Sequence, residues 1–146
     1  MTREETAVGL FDRGYNCAQA VLGAFCEDDG LDRRTALKLA NGFGGGLRCG
    51  EVCGAVTGAV MAVGLKCGFH VEGDFEQKSR CNKKSHEFME KFRETNGSVL
   101  CRELLGIDIR SPDDHNTAEA REAHKSICPK LVANAVRVLE SMEFEK

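Results

Sequence analysis

The sequence carries no excess of charge of either sign. Its 20 Lys and Arg stand against 23 Asp and Glu, a formal net charge of −3. Proteins that neutralise phosphates along a nucleic acid carry a basic surplus, as do anchors on anionic membrane faces, so neither partner class is expected. No apolar run approaches the roughly 20 residues needed to span a bilayer. The longest, Ala59-Val60-Met61-Ala62-Val63-Gly64-Leu65, falls far short. No secretory apolar segment opens the chain either, because MTREETAVGLFDRG interrupts its apolar residues with charge. A soluble, cytoplasmic protein without membrane insertion is the expectation. Internal repeats, linkers and low-complexity segments are also missing, and 146 residues suit one domain spanning 1–146.

Several motifs are missing as well. There is no Cys-x-x-Cys, so neither a thioredoxin-type centre nor a zinc ribbon is expected. Without Cys-x-x-Cys-His, covalent haem attachment has no support. The glycine run Gly42-Phe43-Gly44-Gly45-Gly46 lacks the Gly-Lys-Ser/Thr ending of a phosphate loop and follows no strand. It reads as a connection that lets the backbone pass close to a helix start. The four histidines, His70, His86, His115 and His124, read as surface or capping residues. His124 and Cys128 are four apart, but Pro129 and a helix break between them spoil a shared face.

What is present is sulfur and helical periodicity. Eight cysteines are too few for a disulfide scaffold and too many for chance, and in a cytoplasmic chain they point to redox chemistry or metal ligation. The apolar spacing predicts an all-α, compact bundle of six to eight helices. A first helix covers about residues 3–13. Asn16 with Gln19 forms a variant capping box for a second, whose buried face is Ala18, Val21, Leu22 and Phe25. Asp32 caps a third with Ala36, Leu37, Leu39 and Ala40 inward. A fourth begins around Gly50–Cys53 and reaches Leu65, and its small residues predict a central helix with neighbouring backbones packed close. A long amphipathic helix covers about 74–95, with Phe88, Phe92 and Cys81 on one face and Lys78, Arg80, Lys83 and Lys84 forming a solvated basic face. Ser98 caps a short helix through Leu105, another spans about 117–127, and Pro129 opens the last.

On this reading four thiols fall at helix N-termini: Cys17 just after its cap, Cys53 in a first turn, Cys101 at the third position and Cys128 at a cap. Free N–H groups and the macrodipole favour negative charge there by roughly 0.3–1 kcal/mol, and by about 2 kcal/mol when partly buried. That is enough to bring a thiol from about 8.5 toward neutral pH and to make thiolate, the form that attacks disulfides and binds metals. Cys49 and Cys53 are four apart. On one helix they would lie about 6 Å from each other, which suits two ligands of one metal. If the helix begins after Cys49, a disulfide between them is possible instead. Cys81 reads equally as core or as a contributor to a thiol cluster, while Cys26 and Cys67 read as ordinary residues near helix ends.

Cys17 within Gly14-Tyr15-Asn16-Cys17-Ala18-Gln19-Ala20, the glycine run, Cys53-Gly54-Ala55-Val56-Thr57-Gly58, and the single downstream Cys101 and Cys128 together resemble the C_GCAxxG_C_C family of redox-active proteins. The resemblance covers essentially the whole chain and implies that Cys17, Cys53, Cys101 and Cys128 are the four characteristic cysteines. Three readings follow. The first is a thiol oxidoreductase in which helix-end thiolates exchange between dithiol and disulfide, with Cys53 attacking and Cys17, Cys101 or Cys128 resolving. Its partner would be a redox protein or a small thiol. The second is a metal module holding an iron–sulfur cluster or Zn on Cys17, Cys49, Cys53, Cys81, Cys101 and Cys128. The third is a helical interaction domain whose cysteines are mostly core.

Overall fold

Local capping sets where the helices begin. In the computed structural model, which describes residues 1–144, the Asn16 side chain accepts from the Gln19 N–H at 2.9 Å and Gln19 accepts from the Asn16 N–H at 2.9 Å. This reciprocal box starts α2 (Cys17–Phe25). Thr2 and Glu5 do the same for α1 (Arg3–Asp12), Asp32 caps α3 (Arg33–Ala40) and Asp74 caps α5 (Phe75–Asn96). The remaining α-helices are α4 (Gly54–Cys67), α6 (Cys101–Leu105), α7 (Ala118–Ser126) and α8 (Cys128–Ser141), eight among the described residues. The expected all-α bundle is what forms.

Helices α2 and α4 lie against each other at the centre. α1, α3 and α8 pack on α2, while α5 and α8 pack on α4. One continuous buried cluster fills the space between them, with Phe88 and Phe92 stacked at 5.9 Å between ring centroids. The closeness of α2 and α4 follows from glycine. A Cβ at Gly58 would sit 2.6 Å from the Ala18 carbonyl oxygen, and one at Gly54 would sit 3.1 Å from the Cys17 Cβ. Among the described residues no helix is long and apolar enough to cross a membrane.

Several boundaries move by a few residues from the sequence expectation. Helix α4 starts at Gly54, because residues 51–53 are extended and pair with residues 99–101. Ser98 accepts from the Leu100 N–H and bonds the Glu103 carboxylate, so α6 opens at Cys101. Cys128 is the first residue of α8 rather than its cap, and Pro129 is the second. Leu39 is 61% exposed because α3 buries only the narrow stripe of Ala36 and Ala40. The glycine run ends in a left-handed turn: Gly45, Gly46, Leu47 and Arg48 have φ of 65°, 61°, 60° and 60°.

Candidate functional site: a cavity lined by four cysteines

Four separate devices bring the four helix-end cysteines to one place. Cys17 is fixed by the Asn16 box and by the close approach of α4. Cys53 and Cys101 are tied together by a two-rung antiparallel contact. The Cys53 N–H donates to the Val99 carbonyl at 2.8 Å, and the Cys101 N–H donates to the Glu51 carbonyl at 2.7 Å. The glycine run closes over them, since a Cβ at Gly46 would meet the Cys101 Cβ at 2.9 Å and the Glu51 backbone at 2.5 Å. Cys128 arrives from the first turn of α8. This glycine run is the close-passing connection the sequence implied: Gly44 lies against Asn16, whose amide donates to the Asn41 carbonyl at 2.8 Å.

The result is a cavity of about 230 Å³ lined by Cys17, Cys53, Cys101 and Cys128, together with the polar Arg48, Tyr15, Asn16 and His124 and the apolar Phe11, Leu105 and Leu131. The four sulfur-bearing residues are only 8%, 2%, 6% and 4% exposed. Arg48 is exposed and reaches over Gly45, whose missing Cβ leaves room for the guanidinium 3.0 Å away. Its charge favours thiolate at both Cys17 and Cys101.

The electrostatics differ from the expectation at the helix ends. A hydrogen bond with Cys128, reinforced by burial, keeps the proton on Cys17 well above the usual thiol range. Burial, with Cys17 nearby, pushes Cys53 up to about 12. Burial, with Cys53 and Cys17 nearby, likewise pushes Cys101 up to about 12. A helix end offers at most about 2 kcal/mol to an anion. Removing a thiolate from water and placing other sulfurs beside it costs more, so helix position alone does not set these thiols. Cys53 is poorly placed to open an exchange reaction.

The remaining sequence candidates divide. Cys49 lies outside the cavity, its Sγ directed at the Gly46 carbonyl 3.4 Å away. Its residue is non-helical, with φ −135°, so the one-helix pairing with Cys53 does not form. Cys81 is on α5 and contacts Cys67, not the cavity cysteines. Cys26 is buried with its Sγ 3.6 Å from the Gly23 carbonyl. Among the described residues no three or more His, Cys, Asp or Glu side chains are disposed to hold a metal ion. The six-cysteine ligand set is therefore not assembled, because Cys49 and Cys81 face elsewhere.

Two histidines join the site against the surface assignment. His124 lines the cavity together with Cys128 because Ile127 keeps near-helical angles (φ −106°, ψ −49°), so the break before α8 hardly turns the chain. His115 is 2% exposed and stacks on His124 at 6.1 Å between centroids. The backbone of Ile109 and of Arg48 lies near the His115 ring, yet neither ring nitrogen completes a well-formed hydrogen bond among the described residues. Burial, then the Arg48 charge, lowers His115. Burial, then His115 and Arg48, lowers His124. A buried histidine in a Ser-Pro-Asp-Asp-His turn has no periodic signal. The nearest clue to Arg48 was its place beside the glycine run.

A model of the family described as "Putative redox-active protein (C_GCAxxG_C_C)" matches residues 15–142. No curated protein and no solved structure matches the chain.

Proposed function

The chain belongs to the C_GCAxxG_C_C family, and on that premise we propose that it is a thiol redox protein whose working pair is Cys17 and Cys128. The observation that carries this reading is that Cys17 and Cys128 line one cavity with Cys53, Cys101 and Arg48, Cys128 being the strongest influence on the Cys17 proton. Because Cys17 holds its proton, the attacking sulfur is assigned to Cys128. It displaces one sulfur of a disulfide on a redox partner or small thiol compound, forming a mixed disulfide and releasing the partner's first thiolate. Cys17 then loses its proton to solvent and attacks the Cys128 sulfur, releasing the second. The protein gives up two electrons and its two thiol protons, and the partner disulfide becomes two thiols. Arg48 offsets the negative charge that passes across Cys17. Cys53 and Cys101, whose protons burial also holds, act as a reserve pair that receives the oxidation by exchange within the same cavity.

Peptide mapping after limited oxidation of the folded protein tests this. The expected product is a Cys17–Cys128 disulfide that dithiol reductants reverse, and Cys128→Ser leaves Cys17 unmodified under the same conditions. Recovery of both as free thiols after exposure to a range of disulfides, with the fold intact, overturns the reading.

A further inference from the structure

Outside that cavity a second pair of thiols meets where α4 ends and α5 passes. Cys67 is the last residue of α4, its Sγ 3.3 Å from the Val63 carbonyl, and Cys81 on α5 lies near enough to act on the Cys67 proton. Backbone geometry supports this closeness independently. The Gln77 side-chain amide donates to the Cys67 carbonyl at 2.6 Å, and Cys81 lies one turn further along α5, on the face that Gln77 presents to α4. Both cysteines are half-buried, in contrast with the four sealed in the cavity. Beside them opens a second cavity of about 570 Å³ lined by Cys67, Gln77, Lys66, Arg80, Lys83 and Lys84, together with Glu87 and Phe144. Four cations and one carboxylate line it; Lys66 pairs with Asp29 at 3.1 Å, Arg80 with Glu76 and Lys84 with Glu87 at 3.5 Å, which leaves Lys83 without an ion-pair partner among the described residues. Phe144 sits between the ammonium groups of Lys66 and Lys84, each 5.7 Å from its ring centre. The basic face of the long helix is thus one wall of a thiol-bearing cavity.

We propose that Cys67 and Cys81 form a second redox site, which takes its oxidising equivalents from an anionic low-molecular-weight disulfide drawn into the basic cavity. Cys81 attacks as the thiolate and displaces one carboxylate-bearing thiolate, leaving a mixed disulfide on Cys81. Burial and the neighbouring Cys81 hold the Cys67 proton, up to about 12. Capping Cys81 as a mixed disulfide removes the second of these influences. Cys67 then releases its proton to water and attacks the Cys81 sulfur, expelling the second thiolate. One bond joins Cys67 to Cys81, the disulfide compound is reduced to two thiols, and two electrons leave the protein. Lys66, Arg80, Lys83 and Lys84 select the charge of the incoming compound, since a cleft lined by one sign raises the encounter rate of the opposite sign by about 10–10³-fold. This site stands apart from the reading of Cys17 and Cys128.

The test uses the reduced full-length protein, oxidised glutathione as the anionic probe and cystamine as the cationic one. Timed acid quenching and peptide mapping give the rate of Cys67–Cys81 disulfide formation. Oxidised glutathione is expected to react at least about tenfold faster at low ionic strength, and the advantage should shrink as salt is added. The surface double variant R80E/K83E should abolish or reverse that preference, with its helical circular dichroism unchanged. Equal rates for the two probes, or pairing of Cys67 with any cysteine other than Cys81, overturns the proposal. The probe comparison on the native sequence stands even if a variant misfolds.

Discussion

The two thiol pairs make an instructive contrast. In each, one sulfur holds its proton against a neighbour: Cys17 against Cys128, and Cys67 against Cys81. They differ in what surrounds them. The first pair is buried against a cavity of about 230 Å³ lined by one cation, Arg48. The second borders an opening of about 570 Å³ walled by four cations. Burial and a neighbouring thiol together hold the proton on Cys17 and on Cys67, while exposure and surrounding charge decide what can reach each pair. Cysteines clustered in sequence or in space therefore need not be equally reactive.

The sharpest way to break that contrast is by alkylation. At neutral pH the buried Cys53 and Cys101, each raised to about 12, hold about 10³-fold less thiolate than free cysteine, each tenfold step being 1.36 kcal/mol. Their labelling by iodoacetamide in the folded protein is expected to be about 10³-fold slower than after denaturation, measured residue by residue. Equal rates in the two states would mean that the cavity is open. The same shifts have a pH signature. Because the folded-state values lie above the unfolded ones, the unfolded chain loses these protons first as pH rises. Stability is then full below about pH 9 and declines from there toward about pH 12. Thermal melts from pH 7 to 11 should show this loss, and Cys53→Ala should flatten it.

Next in size is the effect of oxidising the outer pair. A Cys67–Cys81 bond closes a loop of about 15 residues, which is worth about 3 kcal/mol. In a domain of this length that corresponds to a rise in Tm of about 6–12 °C on oxidation, reversed by reductant. Closing the inner pair instead would link residues far apart in the chain, so the two can be told apart by whether Cys81→Ser removes the gain.

Smaller still is the effect of separating the central helices. Gly58→Ala places a methyl group 2.6 Å from the Ala18 carbonyl, a backbone atom that cannot swing aside. Overpacking of this kind costs about 1–3 kcal/mol, partly offset by the better helix propensity of alanine. A Tm lowered by a few degrees, with faster labelling of Cys17 and Cys53, is expected. An unchanged melt would show that α2 and α4 can move apart freely.

Most of the scaffold was readable from local chemistry. Asn16 with Gln19, Asp32 and Asp74 each satisfy N–H groups of the helix they precede, and such caps are written within four residues. Cys17 at its helix start followed from the Asn16 cap and Cys128 from Pro129, whereas Cys53 and Cys101 fall at the very start of α4 and α6 rather than inside a first turn. Gly54 and Gly58 marked the helix that had to pack closest. The protonation of the thiols was not readable, because it depends on which segments cover Cys53 and Cys101, and these come from residues 42–51 and 99–101 meeting across the fold. The burial of His115 and the meeting of Cys67 with Cys81 are likewise tertiary events with no local pattern.

The left-handed turn is where local preference and the site conflict most directly. Leu47 and Arg48 both hold φ near 60°, a conformation costing a non-glycine residue roughly 1–2 kcal/mol. Strain of this kind persists where the surrounding structure enforces it, and here it brings a guanidinium over the cysteine cavity. Arg48→Gly separates the two effects. Removing the strain should raise the Tm by about 2–8 °C. Losing the cation should at the same time slow disulfide exchange at Cys17 and let His115 and His124 take up protons at higher pH, since Arg48 contributes to lowering both. A variant that is more stable but slower means that the turn is kept for its charge. A variant that melts lower and exchanges normally means instead that Arg48 is held there by packing, and that the cavity does its chemistry without it.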